Sequence, residues 1–132
     1  MHVTTKVKLS TLGYVIVYVQ DTRESLKFYR DVLGLKVRSD DDKWVELETG
    51  EATLALHQDD KARAKRTGTQ PHLVFNVEDI YGAYEALKAK GVAFGNAPAT
   101  VCEAGDQIGK SADFKDPDGN PLSIFGMVPA KK

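Results

Sequence analysis

The chain has 132 residues, 42% of them hydrophobic, with 18 Lys and Arg against 19 Asp and Glu for a net charge of −1, as expected of one globular domain of ordinary size. That balance offers no basic face for nucleic acid, and the longest apolar run, Tyr14–Val19, falls far short of the ~20 residues that span a bilayer. One cysteine, Cys102, excludes an intrachain disulfide framework and a cysteine zinc cluster. No apolar stretch of signal-peptide type follows the N-terminal Met1-His2-Val3, so a reducing cytoplasm is the expected compartment.

Tyr14–Val19 is β-branched and aromatic without a polar break, and it predicts a buried strand. Asp21 is placed to cap a helix over Thr22–Leu33, whose inner stripe is Ser25, Phe28, Tyr29, Val32 and Leu33. Gly34 is placed to end it in the left-handed region. A short strand, Leu35–Arg38, leads to the acidic turn Asp40-Asp41-Asp42. Trp44–Glu48 and Ala52–His57 predict a hairpin across Thr49-Gly50-Glu51. Gln58–Gln70 is polar and aperiodic, and reads as a linker.

A second copy of the pattern begins at Pro71. Val19-Gln20-Asp21 and Val77-Glu78-Asp79 end two apolar runs 58 residues apart (19 to 77, 21 to 79). The second copy predicts a strand over His72–Val77, a helix over Asp79–Lys90 stopped by Gly91, and a short strand over Val92–Phe94. An irregular stretch is expected over Asn96–Gly105. Lys110–Lys115 and Pro121–Phe125 then form a hairpin across Asp116-Pro117-Asp118-Gly119-Asn120, a turn built on Pro and Gly. The order β-α-β-β-β occurs twice, which predicts an α+β fold with helices on one sheet face. One domain covers 1–132, with module one at about 8–57, the linker at about 58–70 and module two at about 71–127.

These residues resemble the glyoxalase, bleomycin-resistance and extradiol-dioxygenase group, the vicinal oxygen chelate family. The resemblance rests on Val19-Gln20-Asp21 with Phe28-Tyr29 and Leu33-Gly34, on Val77-Glu78-Asp79 with Tyr84 and Lys90-Gly91, and on Asp116-Pro117-Asp118-Gly119-Asn120. It implies two βαβββ modules around a cup-shaped cleft, and a homodimer. Metalloenzymes of the family hold a divalent ion in that cleft. The implied ligand positions here are Tyr14, Ala55, His72 and Ser123. Ala55 offers no donor, a Ser hydroxyl is poor beside a carboxylate, and Tyr14 would have to ionise from ~10. No metal or other cofactor is therefore expected.

Period-two alternation points Tyr14, Ile16 and Tyr18 into the cleft and Val15, Val17 and Val19 into the core. The same rule aims Trp44, Glu46, His57, His72, Ser123 and Phe125 at the cleft. His72 matches Tyr14 across the 58-residue offset, which predicts a contact between them, and it is the candidate acid or base. The expected function is that of a bleomycin-resistance-type protein that sequesters a planar or hydrophobic small molecule without a metal. Its aromatic walls are Tyr14, Tyr18, Trp44 and Phe125, and its polar groups are Glu46, His57, His72 and Ser123. The alternative is a glyoxalase-like lyase or isomerase, or a dioxygenase-like metalloenzyme, with an atypical site such as Glu46, His57 and His72. Asp116–Gly119 and Cys102 read as structural.

Overall fold

The computed structural model describes Leu12, residues 14–63 and residues 71–130. The expected module start near residue 8, His2 and linker residues 64–70 lie outside the described residues. Each module contributes a four-stranded sheet. The first comprises β1 (Tyr14–Val19), β2 (Lys36–Asp41), β3 (Trp44–Thr49) and β4 (Ala52–Gln58), in the spatial order β1-β4-β3-β2. The second comprises β5 (Leu73–Asn76), β6 (Ala99–Ala104), β7 (Gln107–Lys115) and β8 (Pro121–Pro129), in the order β5-β8-β7-β6. In both sheets the first strand runs parallel to the last and the other pairs are antiparallel. This is the α+β fold expected from the repeat.

The two Asp caps act alike. Asp21 opens α1 (Thr22–Leu26) by accepting a bond from the Arg23 amide, and Asp79 opens α2 (Ile80–Ala89) by accepting one from Gly82. Such caps satisfy amides that the first turn leaves free. The regular helix expected over Thr22–Leu33 is corrected: after Leu26 it widens into π-type turns over Lys27–Val32. The Leu33 amide reaches back to the Phe28 carbonyl at 2.9 Å, a five-residue step. This wide turn carries Tyr29, fully buried, and sets Phe28 against Phe114.

Two further expectations change in module two. Val92–Phe94 is not a strand: Gly91 at φ +97° turns the chain, and Val92 and Phe94 pack inward against Leu87, Tyr84 and Phe114. The strand lies instead at Ala99–Ala104, inside the stretch expected to be irregular. Its Thr100-Val101-Cys102 core is β-prone, but its pairing with β7 across Gly105-Asp106 is a tertiary fact. The linker also begins later than expected, because Gln58 completes β4 and Ala62 is buried.

Val17, Val19, Leu47, Leu56, Leu122 and Ile124 are among the buried residues of one continuous core that both modules share. Burying each such side chain contributes roughly 1.5–3 kcal/mol. A polar latch closes the same seam. The Tyr29 hydroxyl donates to Asp116 at 2.7 Å, the Ser25 hydroxyl to Asp118 at 3.2 Å, and the Gln20 amide to Asp118 at 2.9 Å. Arg63 donates to Asp118 at 2.8 Å and also pairs with Glu24. The Asp116–Asn120 turn is therefore structural, as expected, and additionally fastens one module to the other.

Candidate functional site

The face of each sheet away from the helices carries the residues singled out by alternation. Tyr14, Ile16 and Tyr18 are exposed at 54%, 43% and 46%, whereas Val17 and Val19 are buried. On β3, Val45 and Leu47 are buried beneath Trp44 and Glu46. Rings this exposed are the unusual observation, since apolar side chains ordinarily leave water.

Register explains how the first sheet furnishes this face. Ile16, Ala55 and Glu46 form one cross-strand row, and Tyr18, His57 and Trp44 form another. Ala55 leaves the centre of the face low. Tyr14 and Trp44 reach toward each other across its row, with ring centroids 6.3 Å apart, and Ala55 is fully covered. His57 lies 5.3 Å from Trp44 and 5.4 Å from Tyr18, centroid to centroid. Tilted rings at these distances attract beyond simple burial. Beside them the Trp44 indole N–H donates to Glu46 at 3.0 Å, and Arg38 pairs with Glu46 at 3.2 Å. Both partners favour the anion, so the Glu46 carboxyl titrates below its ordinary range, the indole bond acting most strongly. Arg38 also donates to the Thr53 hydroxyl.

The second sheet repeats the rows with different chemistry. Val74 pairs with Ser123, and Ser123 with Asp113. Ile16 and Val74 are 58 residues apart, so Ala55 and Ser123 occupy equivalent positions. The His72 imidazole meets the Ser123 hydroxyl at 2.5 Å, and that hydroxyl meets the Asp113 carboxylate at 2.5 Å. Phe125 lies over Gly109, where an added Cβ would sit 2.9 Å from its ring. Among the described residues no hydrogen bond or ring contact joins Tyr14 to His72. Each meets its own sheet instead, Tyr14 through Trp44 and His72 through Ser123.

Arg38, Asp113 and Gly109 were not singled out from the sequence. The repeat held a signal for Asp113. It stands beside Ser123 as Glu46 stands beside Ala55, once the hairpins are registered. Arg38 follows Val37 at a break in the β2–β3 register, which alternation alone does not reveal.

The donor set does not fit a divalent ion. Ala55 has no donor and is covered, and His72 Nε2 is engaged by Ser123. Glu46 and His57 belong to the first sheet and His72 adjoins the second. Among the described residues no group of three His, Cys, Asp or Glu side chains is placed to hold a metal. A hollow of about 540 Å³ opens on the helix side, but Phe28, Val92, Phe94 and Phe114 in its wall already pack in the core, Phe28 meeting Phe114 across the modules. The aromatic and polar groups lie on the opposite face, each set on its own sheet.

The fold, the doubled register and the turn at Asp116–Asn120 define a class of protein, and comparison agrees. The sequence model of the Glyoxalase/Bleomycin resistance protein/Dioxygenase superfamily matches residues 11–124, and the chain belongs to that family. It is 30% identical over 118 residues to the Bacillus subtilis protein YetH, covering 85% of this chain and 94% of YetH. A solved structure from the mobile metagenome of V. pseudocholerae is 31% identical, with a TM-score of 0.72 over 92% of this chain and 98% of its own. TnmS3, an antibiotic-binding protein from Streptomyces sp. CB03234, has the same fold at 21% identity and a TM-score of 0.72, over 95% of this chain and 100% of its own. No described helix is long and apolar enough to cross a membrane.

Proposed function

We propose that this chain binds a planar or hydrophobic small molecule on the strand face of its two sheets, without a metal. The aromatic group formed by exposed Tyr14, Tyr18 and His57 with half-buried Trp44 carries this conclusion. Where the family resemblance implies a metal ligand, this chain has a methyl group and a ring of π-faces. Flat ligands are held by such faces, with a few polar groups fixing orientation. Tyr14, Tyr18, Trp44 and Phe125 form the walls, and Glu46, His57 and His72 supply polarity, with buried Ser123 behind His72. The description of TnmS3 as antibiotic-binding supports a small-molecule role for this fold. The working form is a homodimer, and its compartment is the cytoplasm.

Trp44 is the only tryptophan, so its fluorescence reads the site directly. Titration with flat aromatic compounds should give saturable quenching, and Tyr14→Ala should weaken it about tenfold, ~1.4 kcal/mol. No quenching by any such compound would sink the proposal. Elemental analysis of protein prepared without chelators provides the second check. A stoichiometric divalent metal that disappears in His72→Ala would favour a lyase, isomerase or dioxygenase instead.

A further inference from the structure

We infer that Asp113, acting through Ser123, fixes His72 in its Nε2–H form, so that the site selects flat ligands presenting an O–H or N–H donor. The ligand class rests on the binding function proposed above, whereas the tautomer does not. Ser123 is 1% exposed, and its hydroxyl lies 2.5 Å from Asp113 Oδ1 and 2.5 Å from His72 Nε2. A hydroxyl has one proton, and an ionised carboxylate can only accept. The Ser123 proton therefore goes to Asp113. The contact with His72 then needs a proton from the imidazole, which places it on Nε2. A neutral ring in that form carries its lone pair on Nδ1. No hydrogen bond reaches Nδ1 from the described residues.

Asp113 is held to this task by its surroundings. Its amide donates to the Asn96 side-chain oxygen at 3.1 Å, and its carbonyl accepts from the Gly95 amide at 2.7 Å. The Ser111 hydroxyl approaches the same carboxylate oxygen at 3.5 Å. Asp113 and Ser123 are positioning residues, and His72 is the group that would meet the ligand. An acceptor presented to Nδ1 would set lone pair against lone pair, and a donor would be bound. Discrimination of this kind comes from leaving a polar group unpaired.

Long-range proton–nitrogen correlation NMR on the whole chain reads the tautomer directly, at a pH above the ordinary imidazole range (~6.5). The wild type should show Nε2–H. In Asp113→Ala the Ser123 hydroxyl is free to donate to Nε2, and the proton should move to Nδ1. Ser123→Ala removes the bridge with little change in volume and should give both forms, so a failure of Asp113→Ala to fold leaves the relay testable. In parallel, calorimetry compares 1-naphthol with 1-methoxynaphthalene, which lacks the O–H. The wild type should prefer 1-naphthol about tenfold, the worth of one hydrogen bond, and Asp113→Ala should lose that preference. An Nδ1–H wild type, or variants with the wild-type tautomer, would overturn the relay. Equal binding of the two naphthalenes would overturn the ligand class alone. If neither binds, the ligand class falls together with the binding function, and the tautomer result still decides the relay.

Discussion

Glu46 shows how a single side chain ties the aromatic wall to charge. Its carboxylate accepts from the Trp44 indole at 3.0 Å and pairs with Arg38 at 3.2 Å, and its carboxyl is held below the ordinary Glu range. A carboxyl lowered on folding stabilises the folded state above its ordinary pKa and loses that contribution as pH falls through the lowered value. Trp44 emission should therefore change in a step below ~4.3, and Glu46→Gln should abolish the step while the fold persists. A titration that is identical in wild type and Glu46→Gln would disprove the coupling. Alternation within β3 already aimed Glu46 and Trp44 at one face. Their bond to each other and the partnership with Arg38 depend on rotamers and on the β2 register break, which no spacing encodes.

At the scale of elements, α2 approaches its sheet at one small residue. Gly126 on β8 is buried, and a Cβ there would lie 3.0 Å from the Ile80 Cβ and 3.0 Å from the Val77 carbonyl oxygen. One of these neighbours is backbone and the other opens the helix, so neither yields easily. Gly126→Ala should cost about 1–3 kcal/mol, seen as a lower urea midpoint at unchanged slope. An unchanged midpoint would mean that the helix can slide on the sheet. The elements themselves were largely legible, because Asp21, Asp79, Gly34 and Gly91 punctuate them with caps and positive-φ stops. The failures have physical causes. Val92–Phe94 is apolar but short, and Gly91 at φ +97° turns the chain just before it. Ala99–Ala104 is fully exposed and follows Pro98, so it lacks the half-buried alternation by which a strand is recognised. The π-type turns over Lys27–Val32 share their apolar stripe with an ordinary helix and differ only in hydrogen bonding.

Across the whole molecule, the seam between modules is held by an apolar core and by one polar latch. Asp116 accepts from Tyr29, the Asn120 side chain and the amides of Asp118 and Asn120, all at 2.7–2.9 Å. Tyr29→Phe removes the donor that comes from the other module. Leaving that buried carboxylate short of a partner should cost about 1–3 kcal/mol. Thermal unfolding should shift downward as a single transition, because the two modules share one core. A variant as stable as the wild type would show that packing alone fastens the modules.

By itself the sequence determined the doubled strand–helix unit, the faces of its strands, and the match of Tyr14 with His72, while Ala55 and Ser123 were named only by the family resemblance. Periodicity, capping and turn chemistry are local, and a repeat can be read by comparing a chain with itself. The tertiary structure decided what those positions do. It drew Tyr14 and Trp44 together across the Ala55 row, tied His72 to Asp113 through Ser123, and brought the Asp116–Asn120 turn onto Tyr29. Each of these contacts joins residues from different strands or modules. Only cross-strand register and packing set which side chains meet.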